Sequence, residues 1–326
     1  MSSLWRKLRR RTMTPSMAQV RLDVRGFHIK DTESREQLET IGRGFLTGYG
    51  YALQARTPAE AEDRLETVDL EFRGFAYEGA GMGFTVLDGF RPGGGDSVRR
   101  FLTGIAESHV YMVHIGVGWG LARLPRWRWA KVTPSDPFMR WFVFDGYGFH
   151  QAYFHTRRYV YEHYREEPFR GPGGVTEPYA NRAIDQGIGR ALWFVAGADV
   201  ERLISILDSY PPERRSDLYS GAGLAATYAG GADEAELEEF LRRAGEHRAV
   251  VAQGSVFACE ARVRAGLVTP HTRLAARVFC GMSPEEAAAI VDEILADLPP
   301  DGEIPAFELS RQRIAARFAT EKSSGQ

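Results

Sequence analysis

The sequence predicts a mainly α-helical, internally duplicated chain with two pseudo-equivalent halves and one short strand segment near its start. Three observations predict it: apolar residues that recur at three and four positions, cap signals ahead of those runs, and four words that occur twice in the same order. The words are Gly26-Phe27-His28 with Gly148-Phe149-His150, Ile41-Gly42-Arg43 with Ile188-Gly189-Arg190, Gly79-Ala80-Gly81-Met82 with Gly221-Ala222-Gly223-Leu224, and Ala122-Arg123 with Ala261-Arg262. Their offsets of 122, 147, 142 and 139 residues place about 25 additional residues in the second copy. The expected organisation is a basic, disordered head at 1–17, copy one at 18–135, copy two at 136–282 with a loop insertion at about 157–182, and a C-terminal helix and tail at 283–326.

The head carries Arg6, Lys7, Arg9, Arg10 and Arg11 around Leu4, Trp5 and Leu8. No apolar core of a signal peptide follows it. It reads as a frayed tail, with weak membrane-surface contact through Leu4, Trp5 and Arg9 as the alternative. Residues 20–29 read as the strand. Asp31 or Thr32 then caps a helix whose inward face is Leu38, Ile41, Phe45, Tyr49 and Ala52. Thr57-Pro58-Ala59-Glu60 is a capping box with proline at the first helical position, and Asp233-Glu234-Ala235-Glu236 and Ser283-Pro284-Glu285-Glu286 repeat that start signal. The last opens an amphipathic helix bearing Ala287, Ile290, Val291, Ile294 and Leu298, stopped by Pro299-Pro300. Residues 199–207 and 237–244 are amphipathic in the same way.

The sequence has 35 glycines, and many lie inside these helical patterns, among them Gly44, Gly48, Gly79, Gly81, Gly83, Gly116, Gly118, Gly120, Gly187 and Gly189. Each costs about 1 kcal/mol against alanine inside a helix, so something offsets them. Close helix crossings, or backbone brought against a ligand, are the two causes expected.

Composition excludes several classes. A net charge of −2 gives no cationic field for a general nucleic-acid binder. No run of 18 apolar residues exists. Cys259 and Cys280 sit among apolar residues, as buried free thiols do in a reducing compartment. That supports a cytoplasmic protein, peripheral to the inner membrane face if the head engages it.

The chemistry is thinly marked. His109 and His114, like His150 and His155, stand five apart, which leaves them about 140° apart on a helix and unsuited to share a metal. His-Glu-x-x-His, Gly-x-Ser-x-Gly and the phosphate loop are absent, and no flavin, haem, nicotinamide or mononuclear-metal motif is visible. No metal ligands and no cofactor are therefore assigned. His28 and His150 become equivalent if the repeat holds, and either pair up or brace the Gly-Phe-His turn. The densest polar-aromatic stretch runs from Asp145 through Tyr147, Phe149, His150, Tyr153 and His155. It suits the wall of a cavity for an elongated unsaturated molecule, or a half-buried helix with satisfied polar tips. Arg43 and Arg190 follow helical glycines, where a buried guanidinium needs a carboxylate; Glu78, Asp185 and Asp217 are the candidates.

Several longer words carry a resemblance. Gly-Phe-His, residues 32–43 (Thr-Glu-Ser-Arg-Glu-Gln-Leu-Glu-Thr-Ile-Gly-Arg), 74–82, 145–160, Asp185-Gln186-Gly187-Ile188-Gly189-Arg190-Ala191-Leu192, 221–231 and Ala252-Gln253-Gly254 resemble the UnbL-type family over about residues 18–282. Its members are encoded in enediyne biosynthetic clusters beside an iterative polyketide synthase that makes a linear polyene. The resemblance implies an enzyme or enzyme component acting on a polyene or polyyne intermediate, in company with other pathway proteins, and it brings no catalytic residues with it. The groups selected for acid-base work are His28, His150, Asp145 and Glu78; those for binding substrate are Arg43, Arg190, Tyr147, Phe149, Tyr153 and His155. A carrier that shields the polyene, and a scaffold held at the membrane by its head, are the alternatives.

Overall fold

Glycine placement decides how the helices of this chain meet. The computed structural model describes residues 3–319. In chain order the helices are α1 (Ser3–Met13), α2 (Leu22–Arg25), α3 (Thr32–Gln54), α4 (Pro58–Leu65), α5 (Leu70–Phe90), α6 (Ser97–Phe101), α7 (Val110–Ala122), α8 (Arg126–Trp129) and α9 (Arg140–Phe154). They continue as α10 (Ala180–Val195), α11 (Val200–Ser209), α12 (Pro212–Ala229), α13 (Glu234–Arg243), α14 (Arg248–Arg264), α15 (Pro270–Cys280), α16 (Pro284–Ala296) and α17 (Ala306–Ala319). The expected helix starts form: Asp31 accepts from the Ser34 amide, and Asp233 and Ser283 close capping boxes with Glu236 and Glu286; Thr57 accepts from the Glu60 amide, but its box stays open because the Glu60 carboxylate takes the Arg56 amide instead.

The fold is mainly helical, but the strand expected at 20–29 is not there. Ser16 caps a 3₁₀ turn, α2 follows, and Gly26 at φ 69° ends α2 by donating to Asp23 and Leu22 carbonyls. Alternation of polar and apolar residues over so few positions does not separate a strand from linked helical turns. No β-sheet occurs among the described residues; Arg170 and Thr176 form one isolated bridge. The head, expected as a frayed tail, is the helix α1.

The chain divides into two units. The first comprises the chain through Gly26 with Glu39–Gln151 and Arg165–Ile184; the second comprises Phe27–Leu38, Ala152–Tyr164 and the chain from Asp185 onward. The expected insertion at 157–182 is shared between them, and it contains a π-helical turn, Arg157–Tyr161.

Within the first unit α3 and α5 run parallel, since Gly44 faces Phe72, Gly48 faces Ala76 and Ala52 faces Gly83. Helices α5 and α7 repeat this: Gly116 faces Glu78, Gly120 faces Thr85 and Leu124 faces Gly89. Gly-x-Gly pairs make the contacts. A methyl at Gly79 would overlap the Phe45 carbonyl oxygen of α3, and one at Gly81 would meet the Val113 carbonyl of α7. Gly116 and Gly118 of α7 face Glu78 of α5 and Val143 of α9; Gly146 and Gly148 of α9 face Ile115 of α7 and Ile184 of α10. In the second unit Gly221 and Gly223 of α12 face Gln186 of α10 and Val251 of α14, and Gly189 and Gly254 face back to Leu218 and Ser220. In each case the opposing carbonyl lies three residues before a glycine of the partner helix. Backbones this close gain Cα–H···O contacts worth about 0.5–1 kcal/mol each, which offsets most of the helical glycine penalty. Helix crossing is therefore the cause of the glycines.

Both units contain the same side-chain constellation. In the first, Arg73 donates to the Val68 and Glu66 carbonyls, Tyr77 donates to Glu66 at 2.7 Å, and His109 stacks on Tyr77 at 3.7 Å. In the second, Arg215 donates to the Tyr210 and Asp208 carbonyls, Tyr219 donates to Asp208 at 2.9 Å, and His247 stacks on Tyr219 at 4.5 Å. Thr85 caps the Gly81 carbonyl as Thr227 caps that of Gly223. Apart from the histidines, each second-unit residue stands 142 positions after its counterpart.

Two of the paired words differ in local structure. Gly189 meets the Leu218 carbonyl as Gly48 meets that of Ala76, whereas Gly42 packs on the Val20 side chain. Gly26 is a left-handed cap, whereas Gly148 lies inside α9 against the Ile184 carbonyl. The two Gly-Phe-His words are thus different local structures.

Candidate functional site

The candidate is a buried polar network in the second unit, built from α12, α14 and α17. Helix α12 is closed on α14 by the glycines described above, so the side chains beside them lie at the centre of the packing. Ser220 precedes Gly221 and Gln253 precedes Gly254, and both are fully buried. The Ser220 hydroxyl donates to Gln253 Oε1 at 2.7 Å. Arg311 enters from α17, donating to Asp217 at 2.7 Å, to Glu308 at 3.2 Å and to Gln253 Oε1 at 3.4 Å. One guanidinium thus links two carboxylates, all three groups being about 95% or more buried. Among the described residues the Gln253 Nε2 amide has no hydrogen-bond partner. Leaving such a donor dry costs about 1–3 kcal/mol. In the first unit Ile115 precedes Gly116 as Gln253 precedes Gly254, Phe45 presents its carbonyl to Gly79 as Gln186 does to Gly221, and buried Glu78 precedes Gly79 as Ser220 precedes Gly221.

A second buried ion pair lies in the same unit. Arg214 holds Asp185 through two hydrogen bonds of 3.0 and 2.5 Å and donates to the His163 carbonyl at 2.7 Å. Tyr210 lies under its guanidinium and donates to the Tyr159 carbonyl. Together these contacts fasten residues 152–164. Burial, then the Arg214 charge, lowers the proton affinity of the His163 ring, which stacks on Tyr210 and meets the Ser209 hydroxyl at 3.1 Å.

The residues selected from sequence are dispersed. His28 belongs to the second unit, is part exposed, and approaches Asp199 at 3.3 Å. His150 belongs to the first unit and is buried, edge-on to Trp119 and 3.2 Å from the Gln151 amide oxygen. Asp145 and Glu78 are buried in the first unit. Arg43, expected to be buried by close packing, is exposed and pairs with Glu39 and Thr40, because α3 turns its glycines away from it. Arg190 is buried in the second unit. The aromatic groups lie against one another: Phe149 on Trp119, Tyr147 between Trp129 and Phe169, and Tyr153 edge-on to Phe27. His155 is exposed at the end of α9. Asp185 and Asp217, considered as partners for Arg190, engage Arg214 and Arg311.

Sequence reading missed Arg214, Arg311, Glu308 and Gln253. Arg311 and Glu308 were hidden in a tail of ordinary amphipathic composition. Gln253 was detectable, since a polar residue beside a helical glycine at a crossing must be buried.

A family model, Protein of unknown function (DUF1702), matches residues 4–318. The chain belongs to this family. The match takes in the head and the C-terminal helix, both outside the words quoted above, so α17 with Arg311 is part of the family's extent. No curated protein and no solved structure matches the chain. Among the described residues no grouping of three or more His, Cys, Asp or Glu is arranged to hold a metal ion, and no helix is long and apolar enough to cross a membrane. Burial keeps both thiols protonated, pushing Cys280 up to about 12 and Cys259 higher.

Proposed function

We propose that this protein acts in enediyne biosynthesis, as an enzyme or enzyme component working on a polyketide-derived polyene or polyyne, and that its polar working groups are Gln253, Asp217, Arg311 and Glu308. The observation that carries the reading is that the UnbL-like words run through the buried polar core. Ala252-Gln253-Gly254 supplies the amide, and the Asp185 to Leu192 word supplies buried Asp185, Gln186 and Arg190. Buried charge is a costly way to build a helical core, and hydrophobic replacements of similar volume usually serve stability as well or better. The joining of two buried carboxylates by the single Arg311 guanidinium, with the Gln253 amide beside them, supports a task beyond packing. In this reading Gln253 Nε2 donates to a carbonyl or carboxyl oxygen of the substrate, and Arg311 fixes the amide through Oε1. We also read the two constellations offset by 142 residues as a tandem duplication whose second copy took on the polar task.

The test is the mass of the linear polyene after incubation with purified protein, alone and with extract of producing cells. A mass change that requires the protein and falls in Gln253→Leu supports the enzyme reading. A change only with extract assigns the chain to a multi-component enzyme. An unchanged mass in both refutes it. A carrier would instead bind the polyene without altering it. A scaffold would tolerate Gln253→Leu and fail on loss of residues 1–11.

A further inference from the structure

Helix α1 is amphipathic the wrong way round. A surface helix ordinarily turns its apolar stripe inward. Here Leu4, Trp5 and Leu8 face out at 78%, 51% and 48% exposure. Arg9 and Arg10 face the protein. Arg9 donates to the Leu53 and Ala55 carbonyls at the end of α3, and Arg10 donates to Gln54 and lies over Tyr51. Cations belong at a helix C-terminus, so α1 is held by its arginines and displays its apolar face.

That display continues at the neighbouring helix ends of the same unit. Because α3, α5 and α7 run parallel, their C-termini lie at one end. There Phe90 is 65% exposed and Trp127 is 71% exposed. Arg128 fastens α8 to that end, donating to the Gly89, Arg91 and Pro92 carbonyls, and it lies over the Trp127 ring. Gly50 of α3 faces the Arg10 side chain, so α1 lies along the C-terminal turns of α3. Lys7 and Arg11 on α1, and Arg91, Arg123 and Lys131 just after the ends of α5, α7 and α8, are exposed; Arg91 pairs with Asp88, and no carboxylate occurs in the sequence before Asp23.

We propose that this end of the first unit is a membrane-docking face, which inserts Leu4, Trp5, Leu8, Phe90 and Trp127 into the headgroup region of an anionic bilayer. Two features select lipid over a protein partner. The apolar groups are few and projecting, from separate helices, and they are ringed by cations alone in the head; this is the pattern of an interfacial anchor. The inference revises the expectation for the head, since Arg9 faces α3 and the lipid-facing cations are Lys7 and Arg11.

The experiment is flotation of the full-length protein with vesicles of phosphatidylcholine, and of phosphatidylcholine containing about one third phosphatidylglycerol. The expected result is selective binding to the anionic vesicles, with quenching of tryptophan fluorescence by brominated acyl chains. Leu4→Ser/Trp5→Ser/Leu8→Ser should lower the partition coefficient by at least about tenfold, and Phe90→Ser/Trp127→Ser, on elements apart from α1, by a similar factor. Circular dichroism of both variants should match the parent. No binding to either vesicle overturns the proposal, as does binding that both variants retain. Self-association in place of vesicle binding, abolished by the same substitutions, overturns it in favour of a second copy.

Discussion

Two substitutions four residues apart on one helix should move stability in opposite directions. Gly48 of α3 lies where a methyl would overlap the Ala76 carbonyl of α5. Gly48→Ala must force the helices apart. Overpacking of this kind costs about 1–3 kcal/mol, and loss of the backbone contacts on both sides adds about 1–2 kcal/mol. The helical preference of alanine returns about 1 kcal/mol, leaving a net loss of about 1–4 kcal/mol. At Gly44 the same methyl would stand 3.4 Å from Phe72 Cβ and 3.5 Å from its carbonyl oxygen, an ordinary contact. Gly44→Ala should keep the propensity gain and stabilise by up to about 1 kcal/mol. Thermal unfolding followed at 222 nm is the assay. For a chain of this size the expected shifts are a fall of roughly 1.5–6 °C for Gly48→Ala and a rise of up to about 1.5 °C for Gly44→Ala. A neutral or stabilised Gly48→Ala would refute the argument that glycines exist here to admit carbonyls.

Other outcomes follow from buried charge and burial. Arg311→Met strands Asp217 and Glu308 without their cation and should cost about 3–5 kcal/mol in urea denaturation, whereas a loss under about 1 kcal/mol would mean the carboxylates find water. His114, His163 and His247 are held below the ordinary value of 6.5, chiefly by burial, so the folded protein binds their protons less readily than the unfolded chain. Their contribution to stability is whole above about pH 6.5 and drains as the pH falls below it, so the melting temperature should drop from pH 7 toward pH 5 and His114→Phe should soften the drop. Cys259 and Cys280 should resist a thiol reagent at neutral pH and both react in denaturant; modification of the folded protein would contradict their burial.

Helix starts were legible because a cap is local: Asp31, Thr57, Asp233 and Ser283 act within four residues of themselves. The Gly79-Ala80-Gly81 and Gly221-Ala222-Gly223 words pack alike, since in each one glycine meets the helix before and one the helix after. Ile41-Gly42-Arg43 misled because its glycine touches a side chain while Gly189 touches a backbone, a distinction that letters do not record. The candidate network was mostly illegible. Asp217, Gln253 and Arg311 are separated by 36 and 58 residues, and the contact that joins them is set by helix crossings and not by spacing. The Tyr77-Glu66 and Tyr219-Asp208 hydrogen bonds were hidden likewise, because each joins a long helix to the shorter segment ahead of it.

The parallel glycine crossings also bear on how the chain is made. Each long helix closes on its predecessor through contacts some thirty to forty residues away, as Gly79 on Phe45, Gly116 on Glu78 and Gly254 on Ser220 do. Such an interface can form once the second helix has emerged from the ribosome, without waiting for distant sequence. Local pairing of this kind favours rapid, vectorial folding and shortens the time for which apolar surface such as that of α7 is bare. Helix α17 is the exception. Asp217 receives Arg311 only after 94 further residues, so this carboxylate waits for α17 long after α10, α12 and α14 have closed on one another.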